Sequence, residues 1–207
     1  MSDESIFRWL TLAGFVGVIA ATLPHRIKSA RLGRRERLDR SKEGVFMLAT
    51  LRPAAGVLWI AVTAFLVNPP SMVWSAMPLP PWLRWCGAAF CVASVALLIW
   101  ALPALGTNLT DTVVTKQNHT LVTRGPYRWV RHPFYDAVAF VTVGAALLSA
   151  NWFILLMGVL VFSLLARRSR VEEEQLLARF GEPYREYRAR TGRFLPKIRP
   201  ISRAAAR

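Results

Sequence analysis

The chain has 207 residues, 54% of them hydrophobic and 11% aromatic, and 27 Lys/Arg against 12 Asp/Glu give a net charge of +15. The mean hydropathy is +0.32. Apolar residues come in long runs with the charge confined between them, which points to a polytopic membrane protein rather than a soluble globule, and to lipid rather than nucleic acid as the partner of the basic loops.

Five apolar segments follow in order. The first runs from about Ile6 to Leu23; it has no basic leader or small-residue cleavage site, so no cleavable signal is expected. The loop His25 to Gly44 holds eight Lys/Arg against three acids. The second segment runs from about Val45 to Val67, with Arg52-Pro53 near its start as a helix-end cation or a partner inside the bundle. The loop Asn68 to Pro81 has five prolines and no charge. The third segment runs from about Trp82 to Leu102, and its Cys86 and Cys91 read as small packing residues, not a disulfide or a metal pair. Three scattered histidines make no zinc pattern, so no metal is expected.

Pro103 to Arg131 carries four basic residues and one acid. Pro133 to Leu148 and Trp152 to Ala166 are short apolar segments parted only by Ser149-Ala150-Asn151, so they predict a tight helical hairpin. The tail from Arg167 holds twelve basic residues and five acids. This alternation predicts five transmembrane helices, with the N-terminus outside and the tail cytoplasmic. The fifth helix should run on to Phe180, with Gly181 ending it and Pro183 in the first turn of another. Leu177, Phe180, Tyr184 and Tyr187 form a rough apolar stripe, and Thr191-Gly192 closes that last amphipathic helix.

Candidate chemistry collects at the cytoplasmic face. Gly125-Pro126 breaks any helix and brings Tyr127, Arg131 and His132 to the start of the fourth segment, where Pro133 suits the first turn. A helix start favours an anion, and Arg128 and Arg131 reinforce that or reach lipid phosphates. Arg168 and Glu172 share one helical face, in the weaker order for a supporting ion pair, so a cavity-facing carboxylate that holds a cation or ribose hydroxyls is the alternative. Glu173 and Glu174 rotate away by about 100° each, so one or two of the three acids face the site.

His119-x-Leu-Val, Gly125-Pro-Tyr127, Arg131-His-Pro-x-Tyr135, Glu172-Glu-x-x-Leu176, Phe180-Gly-x-x-Tyr184-x-x-Tyr187 and Thr191-x-Arg-Phe-Leu-Pro196 occur in that order. Together they resemble the isoprenylcysteine carboxyl methyltransferase superfamily, which includes phospholipid and thiol methyltransferases. The resemblance covers roughly Asn108 to Lys197. It implies an all-α membrane enzyme that uses S-adenosylmethionine without a Rossmann domain, organised as a three-span region 1–103 and a methyltransferase core 104–207. It further implies that His119, Thr120, Leu121, Val122, Tyr127, Arg131, His132, Pro133, Phe134, Tyr135 and Glu172 line the cofactor, and that Arg168 sits where the carboxyl methyltransferases hold a substrate carboxylate.

One departure stands out: Asp136-Ala137 occupies the place of the family's x-Gly, adding an acid near the site. A carboxylate acceptor needs no base, whereas a thiol or amine must lose a proton, which makes Asp136, His119 or His132 relevant. The expected substrate is a small molecule or lipid at the cytoplasmic membrane face, a thiol, amine, carboxylate or headgroup. In a compact Arg-rich chain of bacterial inner-membrane type, prenylated protein ends are not the expected acceptor. An NADPH-dependent reductase of the sterol type and a non-catalytic scaffold are the alternatives.

Overall fold

A computed structural model describes residues 3–33, 45–106 and 120–197. Six α-helices fill most of them: α1 Asp3–Gly33, α2 Val45–Val67, α3 Pro81–Leu105, α4 Pro133–Leu148, α5 Trp152–Phe180 and α6 Glu182–Arg190. Short 3-10 turns occupy Pro69–Ser75 and Gly125–Arg128.

Local chemistry explains the boundaries. Pro81 and Pro133 each open a helix, where a missing N–H costs nothing. Asn151 caps α5 by accepting a hydrogen bond from the Ile154 N–H at 3.0 Å. Gly181 ends that helix at φ 58°, a conformation a side chain disfavours, and α6 starts at once. The long fifth helix and its break therefore fall where the sequence puts them. Two helices outrun their apolar runs: α1 continues through Pro24 to Gly33, and α3 through Pro103 to Leu105. A proline removes one helical hydrogen bond but does not stop a helix whose neighbouring residues favour it.

Successive helices α1 to α5 alternate in direction, as their shared ends show. At one end, Arg8 donates to the Leu66 and Val67 carbonyls that close α2, at 2.8 and 3.3 Å. At the same end Arg84 donates twice to the Leu148 carbonyl that closes α4, at 3.1 and 2.8 Å. Arg84 also pairs with Glu4 and lies over the Phe7 ring at 4.0 Å. Two guanidinium groups thus meet the negative, unsatisfied ends of two helices. Asn151 ties the start of α5 to the Pro69–Ser75 turn through the Ser75 hydroxyl at 2.7 Å.

The α3–α4 crossing is the most extensive helix contact. It depends on small residues: a Cβ on Gly144 would sit 2.7 Å from Cys91 Sγ and 2.8 Å from the Gly87 carbonyl. Cys91 is buried there as a packing residue, and both Cys86 and Cys91 are free.

Four described helical stretches, Asp3–Lys28, Ala49–Val67, Pro81–Leu105 and Trp152–Phe180, are long and apolar enough to cross a membrane. α4 has 16 residues, or about 24 Å of helix against a hydrocarbon thickness of about 30 Å. Exposed indoles mark the two ends: Trp74, Trp82, Trp85 and Trp152 at one, Trp100 and Trp129 at the other. Along α3, Trp85 and Trp100 are roughly 22 Å apart by helical rise.

Candidate active site

The second end of the bundle holds the polar cluster. The 3-10 turn Gly125–Arg128 is followed four residues later by α4, so Arg131 and His132 stand just before the helix and Tyr135 in its first turn. The segment after α6 returns beside them. The Arg131 N–H donates to the Gly192 carbonyl at 2.9 Å and the His132 N–H to the Arg193 carbonyl at 3.1 Å; the Gly192 N–H donates to the Trp129 carbonyl at 3.0 Å. This short parallel pairing roofs the entry to α4 with α6. The Tyr187 hydroxyl fixes the roof by donating to the Tyr127 carbonyl at 2.7 Å.

Two neighbouring glutamates divide the cluster. Glu172 accepts from the Tyr135 hydroxyl and from Arg168 Nε, both at 2.8 Å, and its other oxygen lies 3.7 Å from His132 Nδ1. Glu173 is 2% exposed. It accepts from Arg131 Nε at 2.9 Å and from Arg193 Nε and Nη2 at 3.0 and 2.9 Å, with His132 Nε2 at 3.2 Å. A buried carboxylate is costly unless paired and hydrogen-bonded, and here two guanidinium groups and an imidazole meet it. Arg131 also donates to the Thr191 carbonyl, joining the buried charge to the returning tail. His132 is held between the two carboxylates and stacks on Tyr135, with ring centroids 5.3 Å apart and planes 11° from parallel.

A cavity of about 670 Å³ opens from this cluster into the bundle. Its polar end is lined by Thr120, Tyr127, Arg131, His132, Tyr135, Arg168, Glu172, Tyr184 and Tyr187. Leu121, Val122 and Phe134 add apolar wall beside them. Its other end is lined by Phe15, Ile19, Leu51, Leu58, Trp59 and Val161, from α1, α2 and α5. The Tyr184 hydroxyl is buried on this wall and has no hydrogen-bond partner among the described residues, a polar atom that a bound molecule would satisfy. Burial pushes the Tyr127 and Tyr184 phenols up, and that of Tyr187 up to about 12, so all three are neutral donors at neutral pH.

Most of the residues singled out in the sequence therefore meet in one place. His119 lies outside the described residues. Pro133 is buried in the first turn of α4 and does not line the cavity. Asp136 does not line it either. The cavity face of α4 is Phe134, Tyr135, Val138, Val141 and Thr142, a helical stripe that the rotation from Tyr135 to Asp136 leaves. Asp136, an acid near the site by sequence, is partly buried off that stripe. Glu173, Arg193 and Tyr184 were not named from the sequence as site residues. Glu173 and Arg193 stood inside quoted motifs, and Tyr184 in the expected stripe; burial and the long-range return of the tail give them their place.

An integral membrane protein, helical throughout its described elements, with a polar site at one end of the bundle roofed by α6, is the class these features define. Residues 87–178 match the model of the isoprenylcysteine carboxyl methyltransferase family. Protein-S-isoprenylcysteine O-methyltransferase of Homo sapiens is 29% identical over 134 residues, 63% of this chain and 47% of the relative. Its counterpart in Xenopus laevis is 32% identical over 124 residues, 58% of this chain and 43% of the relative. The chain spans about half the length of the curated relatives it matches. A solved structure of the eukaryotic intramembrane Ras methyltransferase shares the fold, with a TM-score of 0.53 and 21% identity over 91% of this chain and 68% of that one. Over residues 87–178 the chain is thus similar to the isoprenylcysteine carboxyl methyltransferases.

Proposed function

We propose that this chain is an S-adenosylmethionine-dependent methyltransferase whose acceptor carries an apolar tail. The observation that carries this reading is the single cavity joining the Arg131–Glu172 cluster to an apolar chamber between α1, α2 and α5. Its polar end fits the methyl donor. Glu172 offers a carboxylate to a cation or to ribose hydroxyls, the Tyr184 hydroxyl lacks a partner among the described residues, and the Tyr127, His132 and Tyr135 rings offer faces to a sulfonium. Bound there, S-adenosylmethionine supplies an electrophilic methyl on a leaving group that needs no protein acid.

The chain's own contribution is alignment and a dry site. α6 and its tyrosines exclude water from above, while the returning segment holds Arg131 and His132 in place. His132 is a cavity-lining group that could serve as base for a thiol or amine, beside the Glu172 carboxylate. It is oriented by Glu173 on one nitrogen and faces Glu172 with the other. For a carboxylate acceptor no base is needed, and Arg168 supplies the counter-charge. Methyl acceptance by an isoprenylcysteine is in the names of the relatives. The apolar chamber admits a prenyl or acyl tail equally, so acceptors with such tails join the thiols, amines, carboxylates and headgroups to be tested.

The direct test is calorimetry on detergent-purified protein with S-adenosylmethionine and NADPH in separate titrations. Saturable binding of the methyl donor alone is expected; binding of NADPH alone, or of neither, overturns the reading. Ala55, on the apolar wall, then tests the acceptor. Ala55→Phe should raise KM for tailed acceptors by about tenfold, the order of one lost apolar contact set, with donor affinity unchanged.

A further inference from the structure

A second, smaller cavity of about 460 Å³ lies on the far side of Tyr187. Arg128, Trp129, Arg190, Thr191 and Lys197 line it with Tyr187, and among the described residues its lining holds three cations and no carboxylate. Arg190 is exposed and lies 3.8 Å from Glu186, a loose surface pair. Lys197 donates to the Arg188 and Ala189 carbonyls at 2.9 and 3.0 Å, which places its ammonium group at the C-terminal end of α6. The Arg128 guanidinium lies over the Trp129 indole, its Cζ 3.8 Å from the ring centroid.

Two observations set this pocket at the membrane surface. Trp129 packs edge-on against Trp100, with centroids 5.2 Å apart, and Trp100 lies one turn from the end of α3. Both indoles are exposed, 41% and 47%. Paired, exposed indoles at the end of a spanning helix sit at the headgroup level, where neighbouring guanidinium groups face lipid phosphates. The pocket also shares Tyr187 with the large cavity, so this residue lines both.

We propose that this pocket binds a phosphomonoester or phosphodiester anion, supplied by the headgroup of an anionic lipid, and that its occupancy braces the α6 roof over the large cavity. Arg128, Arg190 and Lys197 converge from the loop before α4, from α6 and from the returning tail. A single phosphate bridging them ties together the three segments that close the site. The brace rests on the large cavity being the functional site; the anion pocket itself does not, and its binding test needs no methyl transfer.

The full chain in zwitterionic detergent is titrated with short-chain phosphatidylglycerol, short-chain phosphatidylcholine or inorganic phosphate, and thermal stability and tryptophan fluorescence are read. Saturable stabilisation by phosphatidylglycerol is expected, with no comparable response to phosphatidylcholine. Arg128→Gln and Arg190→Gln should each weaken it about fivefold, the share of one cation near a lipid surface. Arg170→Gln, an exposed cation on α5 outside the pocket, should leave it unchanged. Inorganic phosphate acting as well as the lipid would keep the anion pocket and overturn the lipid as its source. An equal response to phosphatidylcholine, or an equal loss in Arg170→Gln, would overturn the pocket.

Discussion

Glu172 and Glu174 are two positions apart on α5 and occupy different environments. Glu172 faces the cavity and is tied to Tyr135 and Arg168, whereas Glu174 is exposed. Glu172→Gln keeps the shape and removes the charge, and should weaken S-adenosylmethionine binding tenfold or more, about 1.4 kcal/mol. Glu174→Gln should change it less than about twofold. Calorimetry on the two proteins checks this, and equal losses would refute the assigned face. Glu173 predicts a different outcome. Its carboxylate is enclosed by Arg131, His132 and Arg193, so Glu173→Gln leaves buried positive charge uncompensated. The expected result is a loss of about 3 kcal/mol in stability, seen as a lower Tm with and without ligand. A wild-type Tm in that variant would show that the buried network is not what holds the roof. The sequence separated Glu172 from its neighbours by rotation alone. It gave no sign that Glu173 is the most enclosed of the three, because its partners come from 42 residues before it and 20 after it.

The helices themselves were largely legible. The apolar runs, the Ser149-Ala150-Asn151 hairpin, the stop at Gly181 and the restart before Pro183 all carry local signals: period, caps and a glycine. The parallel return of Gly192 and Arg193 onto Arg131 and His132 was not, since it joins segments some 60 residues apart with no periodic pattern of its own. The roof that this return secures has a pH signature. The Tyr187 phenol is raised by burial to about 12, above the value of about 10 expected in an unfolded chain. Its contribution to stability is therefore fully present below pH about 10 and is lost as pH rises to about 12. Tyr127 and Tyr184 shift in the same direction. α6 should detach in that window while the bundle stays helical. Tyrosinate absorbance recorded beside circular dichroism tests this. Phenol ionisation complete near pH 10 with no loss of donor binding would contradict the buried setting of these rings.

At the scale of the whole molecule, charge and aromatic placement agree on one frame. The charge-free loop Asn68 to Pro81 lies at the end where Arg8 and Arg84 close helices, and the described basic residues Arg26, Lys28, Arg124, Arg128 and Arg131 lie at the other. With α4 counted as a fifth crossing, we propose from the positive-inside rule that the end holding the polar cluster faces the cytoplasm. In a background with Cys86 and Cys91 replaced by Ala, single cysteines at Ser71 and Glu186 should react with impermeant reagent from opposite sides. Labelling of both from one side would remove the five-span arrangement. α4 itself falls short of a full bilayer, which leaves the membrane thinned or the helix end covered by its neighbours. Arg84, two hydrogen bonds deep into the last carbonyl of α4, supplies that cover.

The return of Gly192 and Arg193 onto the start of α4 also orders events in time. Helices α1 to α5 are translated before Arg193, yet Glu173 receives two of its hydrogen bonds from that residue. During synthesis the bundle can insert and pack with its polar end still open. The site is completed only when the final stretch has emerged and folded back. A ribosome stalled after α5 therefore leaves an inserted chain that has no finished binding pocket, and insertion and competence are separate steps in the life of this protein.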